Sequence, residues 1–151
     1  MKLRVALAQI NPTVGDLSGN AALIAQSTAQ AVAAGAHLVV FPEMVLTGYP
    51  VEDLALRPSF QKASKEALAT LAKNADPAIV SIVGYLDQVP GADGALKPQN
   101  MVAVIAGGEV KARYAKCHLP NYGVFDEFRN FVAADIEKWT QVVKATGATL
   151  D

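Results

Sequence analysis

His37-Leu-Val-Val-Phe-Pro-Glu43 is the stretch that decides the fold class. Four apolar residues run without a polar break and stop at Pro42, which reads as a buried strand rather than one face of an amphipathic helix. A second short apolar run at residues 3–8, closed by Asn11-Pro12 and Gly15-Asp16, reads the same way. Between the two, Leu17, Ala21, Ile24, Thr28 and Val32 recur at near-helical spacing, and Gly35 supplies a stop. Strands joined through a helix are parallel and covered on a face, so the first forty residues predict a strand–helix–strand unit.

Downstream, residues 42–58 hold Pro42, Gly48, Pro50 and Pro58 and are expected to form an irregular surface loop. Ser59 is expected to cap a helix running to about Asn74, with Phe60, Ala67, Leu68 and Leu71 on one side. Residues 79–85 predict a third strand, and 90–98 (PGADGALKP) a turn-rich connection. Residues 101–106 and 109–114 should pair around Gly107-Gly108, a two-residue hairpin signal. Residues 115–134 read as a loop. Ile136, Trp139, Val142 and Val143 mark an amphipathic helix over 135–146, expected to cover apolar sheet surface.

The chain has 151 residues, 52% of them hydrophobic and 18% charged, which describes a globular chain with a real core and excludes intrinsic disorder. Lys2, Arg4, Asp16 and Glu43 are the only charged residues among the first fifty, so that part should be core or interface. A net charge of −1 provides no bulk field for nucleic acid or anionic membrane. One cysteine, Cys117, excludes an internal disulfide framework and a cysteine-rich zinc site. The apolar run after Lys2 and Arg4 is too short for a secretory leader, and no stretch is long enough to span a bilayer. A cytoplasmic protein is expected, with neither nucleic acid nor membrane as partner.

Few residues can carry chemistry. Glu43 directly follows a buried strand, where carboxylates of layered α/β proteins often face the ligand crevice; read from its position alone, it is a solvated loop residue. Lys116 lies just past a strand and by itself is a surface lysine. Cys117 is a thiol beside that cation, but neighbours in an extended segment point opposite ways, so the two should not share a pocket. His37 and His118 have no second ligand at metal spacing. Gly107-Gly108 is followed by neither a helix start nor a Lys-Ser/Thr pair, so it is not a phosphate loop. Asp126-Glu127 is either a solvated turn or part of a recognition loop with Tyr122 and Phe125.

Three blocks in order then carry a resemblance: Arg4-Val-Ala-Leu-Ala-Gln-Ile-Asn-Pro-Thr-Val-Gly-Asp16, Gly35-Ala-His-Leu-Val-Val-Phe-Pro-Glu43-Met-Val-Leu-Thr-Gly-Tyr-Pro50, and Lys116-Cys-His-Leu-Pro-Asn-Tyr-Gly-Val-Phe-Asp-Glu127. Over roughly residues 2–133 the chain resembles the amino-terminal, nitrilase-like glutaminase domain of bacterial glutamine-dependent NAD synthetases. The resemblance implies an α/β fold, about half of an α-β-β-α sandwich, to which the 135–146 helix is added. It implies glutamine as substrate and ammonia supply for NAD synthesis, with no cofactor and no metal. Glu43 would be the general base, Lys116 the oxyanion-stabilising cation, Glu127 a second glutamate, and Tyr122 and Phe125 substrate contacts.

The family's nucleophilic cysteine lies on a later strand, in a segment resembling Ile-Cys-Glu-Asp-Leu-Trp, and nothing like it follows residue 133. No nucleophile is therefore assigned. Residues 134–151 resemble instead the carboxy-terminal helix of tricarboxylate-type solute-binding receptors, which implies a chimeric or truncated chain with a junction near 131–136. Two domains are expected, 1–133 and 134–151. The chain is read either as an inactive part of a glutaminase or as a non-catalytic interaction module, with a second copy or the complementary half as partner.

Overall fold

In a computed structural model, residues 2–90 and 94–116 are described. The expected helix at 135–146 with Trp139, the junction near 133, Cys117, His118, Tyr122, Phe125, Asp126 and Glu127 all lie outside the described residues, as does the tip of the 90–98 connection at 91–93.

Strand β1 (Val5–Leu7) leads into helix α1 (Leu17–Ala33) and strand β2 (Leu38–Val40). A 3₁₀ turn (Glu52–Leu56) and helix α2 (Pro58–Lys73) follow, then strands β3 (Val80–Pro90), β4 (Leu96–Ala106) and β5 (Glu109–Ala115). The sheet is ordered β1-β2-β3-β4-β5. Its first three strands are parallel, in the register Val5↔Leu38↔Val80, because each connection carries a helix. The last three form two antiparallel hairpins, the second turning at Gly107-Gly108, where both residues have positive φ. The mixed α/β class is as expected.

Strand alternation sorts the side chains. Val39, Val83, Tyr85, Ala103 and Ile105 point toward the helices and pack with Ile24, Leu68 and Leu71 in one buried core. On the opposite face Leu3 and Leu7 remain 71% and 72% exposed.

Three expectations need correction. The 42–58 segment is only partly a surface loop: Met44, Val45, Leu46, Thr47 and Val51 are buried, while Tyr49, Pro50, Glu52, Asp53 and 56–58 are exposed. Ser59 does not cap α2: the helix begins at Pro58, whose missing N–H suits the first turn, and Arg57 precedes it without a side-chain cap bond. The 90–98 connection is also shorter than expected. The ladder continues through Gln88↔Pro98 to Pro90↔Leu96, with Pro98 tolerated because one ladder bond can be forgone.

Candidate active site

The chain does not leave the sheet where β2 stops. Phe41 N–H donates to Ile82 O (3.1 Å) and Leu46 N–H to Gly84 O (3.1 Å), so the segment keeps tracking β3. Between those bonds Pro42–Met44 rides directly over Gly84. A Cβ on Gly84 would run into Met44 N and sit 3.0 Å from Pro42 O, so only glycine admits this approach. Met44 takes a positive φ of 50°, tucks its side chain against Leu86 and Val51, and leaves Glu43 projecting outward.

A buried asparagine of α1 holds the loop from the other side. Asn20 Nδ2 donates to Thr13 O (2.8 Å) and Leu46 O (3.1 Å), while its Oδ1 accepts from Thr13 N–H (2.8 Å). The first and second sequence blocks are therefore structural neighbours.

Lys116 arrives from the far edge of the sheet. Its N–H donates to Asn100 O (2.9 Å), and its Nζ donates to Glu43 Oε1 at 2.6 Å, across 73 positions of sequence. Asn100, paired with Leu86 and only 5% exposed, donates its side-chain Nδ2 to the same Oε1, also at 2.6 Å. Phe41, Glu43, Gly84, Asn100, Tyr114 and Lys116 line a depression of about 230 Å³. The expected convergence of Glu43 and Lys116 on one cleft is met.

Sequence reasoning passed over Asn100, Gly84 and Asn20. Asn100 was detectable. Counting back by twos from Val104 and Val102 places it on the face opposite Met101, Ala103 and Ile105, an amide on an otherwise apolar strand face.

The geometry divides labour between the two carboxylate oxygens. Oε1 carries two charge-assisted bonds, the strong class of hydrogen bond. Oε2 accepts none among the described residues. The Lys116 ammonium has three N–H donors and spends one on Glu43, which leaves others for a developing anion in the cleft. The pair is partly open to solvent, with side-chain exposures of 32% for Lys116 and 41% for Glu43.

The remaining candidates sort simply. His37 is exposed and its Nδ1 accepts from Arg4 N–H (3.0 Å), a packing role at the β1–β2 edge. Among the described residues no group of three His, Cys, Asp or Glu side chains is placed to hold a metal. None of their helices is long and apolar enough to cross a membrane. Tyr85 and Asp87 form a polar cluster on the helix-facing side, away from the cleft. Tyr85 Oη donates to Asp87 Oδ2 (2.8 Å), and Lys65 Nζ lies 3.3 Å from Asp87 Oδ1. Burial first, then the bond to the Asp87 carboxylate, holds the Tyr85 hydroxyl well above the usual phenol range.

Comparison with known proteins supplies a context for this geometry. Residues 4–147 match the model of the carbon-nitrogen hydrolase family. A glutamine-dependent NAD(+) synthetase from a Synechocystis strain is 42% identical over 132 residues, which are 86% of this chain and 24% of that protein. The structure of the glutamine-dependent NAD+ synthetase from Acinetobacter baumannii superposes with a TM-score of 0.73 at 40% identity, over 87% of this chain and 24% of its own. An amidase from Nesterenkonia sp. superposes with a TM-score of 0.62 at 26% identity, covering 80% of this chain and 44% of the amidase. The chain thus spans about a quarter of the length of the NAD synthetases it matches.

Proposed function

The chain belongs to the carbon-nitrogen hydrolase family, and from that premise we propose that the Glu43–Lys116 cleft is the base-and-cation part of a site that hydrolyses the side-chain amide of glutamine. The observation that carries this reading is the 2.6 Å contact between Lys116 Nζ and Glu43 Oε1 at the edge of an open cleft. In such a site Glu43 Oε2 takes the proton of a thiol, and the thiolate attacks the amide carbon. Lys116 faces the oxygen that becomes negative; the C–N bond breaks as the proton passes to the departing nitrogen, leaving a glutamyl thioester that water then hydrolyses to glutamate and the free thiol. The relatives are named glutamine-dependent NAD(+) synthetases; our proposal extends from that likeness to ammonia supply for NAD synthesis, and to a cytoplasmic location. Glu127 as second glutamate and Tyr122 and Phe125 as substrate contacts belong to the same proposal.

The thiol is the missing role. Cys117 is the single cysteine of the 151-residue sequence. It directly follows Lys116 and does not stand where the resemblance puts the family's nucleophile, on a later strand, so it is not proposed for that role. Where catalytic groups act as a unit, removing the nucleophile costs on the order of 10⁶ in rate. The 151-residue chain is therefore expected to bind glutamine without releasing ammonia at an enzymatic rate.

Titrating the chain with glutamine while recording backbone amide shifts, with ammonia release followed in parallel, tests this. Shifts confined to the neighbourhood of Glu43, Gly84, Asn100 and Lys116 are expected, with no turnover. Turnover that vanishes in Cys117→Ala would make Cys117 the nucleophile. Neither shifts nor turnover would overturn the glutamine reading in favour of a non-catalytic module.

A further inference from the structure

We infer that Asn100 is the positioning residue of the cleft: with Lys116 it holds Oε1 of Glu43, so that Oε2 alone is presented as the proton-accepting oxygen. This deepens the reading of Glu43 as a base and rests on it. A glutamate on a loop rotates freely about its terminal torsion and would offer either oxygen in many directions. Here Oε1 receives two donors at 2.6 Å from different strands, Asn100 Nδ2 in β4 and Lys116 Nζ just past β5. Two anchors on one oxygen fix the plane of the carboxylate as well as its distance.

Asn100 is suited to this role in a way Lys116 is not. It is 5% exposed and sits in a continuous ladder opposite Leu86, so its amide has little freedom to drift. Lys116 has a long, one-third exposed side chain that must also remain available to a developing anion. Asn100 further grips Lys116 through its backbone, since its carbonyl accepts the Lys116 N–H at 2.9 Å. One residue thus registers both members of the pair, the base by its side chain and the cation by its main chain. Substitution of Asn100 removes only the first grip.

The test exploits the contact directly and needs no turnover. A water-soluble carbodiimide activates the Glu43 carboxylate. The Lys116 amine then captures it as an amide with loss of the urea, or added glycine ethyl ester captures it from solution. Mass spectrometry gives the ratio of the two products in the wild-type chain, in Asn100→Leu and in Asn100→Ser. Loss of a hydrogen bond to a charged group should lower the internal-to-external ratio about tenfold, with capture by glycine ethyl ester undiminished. A role confined to folding would not redirect an activated carboxylate from an internal amine to an external one.

An unchanged ratio in either variant with wild-type circular dichroism and melting overturns the proposal. Should both variants fail to fold, the side-chain NH₂ resonances of Asn100 decide it in the intact fold. They should move on Glu43→Gln, and resonances that stay in place overturn the contact. Repeating the crosslink with glutamine present separates the two readings. A ratio that depends on Asn100 but ignores glutamine leaves the positioning role standing while the substrate assignment falls.

Discussion

Strand β3 has two faces, and they are built to opposite rules. Toward the helices, Ser81, Val83, Tyr85 and Asp87 are buried under α1 and α2, and two of the polar groups there are tied down: Tyr85 bonds Asp87, and Asp87 meets Lys65 and the Gln88 N–H. On the other side, Gly84 offers no side chain, Leu86 seats Met44, and a glutamate and a lysine meet half in solvent. A period of two residues therefore separates the groups that hold the fold from those that face a ligand. Substitutions on the first face should register in stability, and those on the second in chemistry.

The largest effect expected lies on the helix face. Leu68 of α2 is 1% exposed within the main core. Leu68→Ala should cost about 2–5 kcal/mol in a denaturant titration, the range for a large-to-small core substitution. At denaturant concentrations where the variant is still folded, the Glu43–Lys116 crosslink should form as in the wild type. A crosslink lost from a folded Leu68→Ala chain would mean that the two faces are not independent.

Gly84→Ala probes the place where the faces touch. The added methyl meets Met44 N and Pro42 O, backbone atoms that cannot swing aside as a side-chain tip would. Overpacking of this kind costs about 1–3 kcal/mol, and here the strain is relieved by lifting the 42–44 turn off β3. The variant should stay folded yet lose both the crosslink and the glutamine-dependent shifts. If it keeps both, the close approach over Gly84 does not shape the cleft.

This junction also shows which parts of the molecule were legible from sequence. The strands, both helices and the Gly107-Gly108 hairpin were readable because apolar period and turn chemistry are local. Glu43 and Lys116 were readable because each follows a strand and each sits in a block with a family resemblance. The burial of residues 44–47 was not, because Pro42 and Gly48 look the same whether a loop runs over a surface or is pressed onto a neighbouring strand. Asn20 and Asn100 act across 26 and 57 positions, respectively, and long-range partners leave no mark on local pattern.

A smaller effect is expected at Tyr85. Tyr85→Phe removes the hydroxyl that bonds Asp87 and leaves a buried acceptor short of one donor, at a cost of about 1–3 kcal/mol. The pH dependence sharpens the comparison. Burial and then Asp87 raise the pKa of this phenol in the folded chain, while the unfolded chain ionises near the ordinary value of about 10. Above that pH the unfolded state releases a proton that the folded state retains, so rising alkalinity favours unfolding. Wild-type stability should fall as pH climbs past about 10, and Tyr85→Phe should fall less steeply over the same window. Identical slopes would show that Tyr85 is not the group titrating.

The smallest effect on stability belongs to the residue proposed to matter most for chemistry. Glu43→Gln keeps the shape of the side chain and an amide oxygen that can still accept from Asn100. It removes the negative charge facing Lys116. That ion pair is about one-third exposed at Lys116 and more at Glu43, and exposed pairs contribute about 0–1 kcal/mol, so water can solvate the lysine once its partner is neutral. The substitution should shift the unfolding midpoint only marginally, unlike Leu68→Ala on the other face. Its chemical consequence should be complete, because an amide oxygen is far too weak a base to accept a thiol proton near neutrality. Carbodiimide should no longer join residue 43 to Lys116, and no thiol supplied to the site should be activated. A stability loss above about 2 kcal/mol would exceed any exposed pair and would make the Glu43–Lys116 contact a structural tie between the β2 end and the β5 edge. A marginal loss with the crosslink abolished would leave the cleft face free of structural duty.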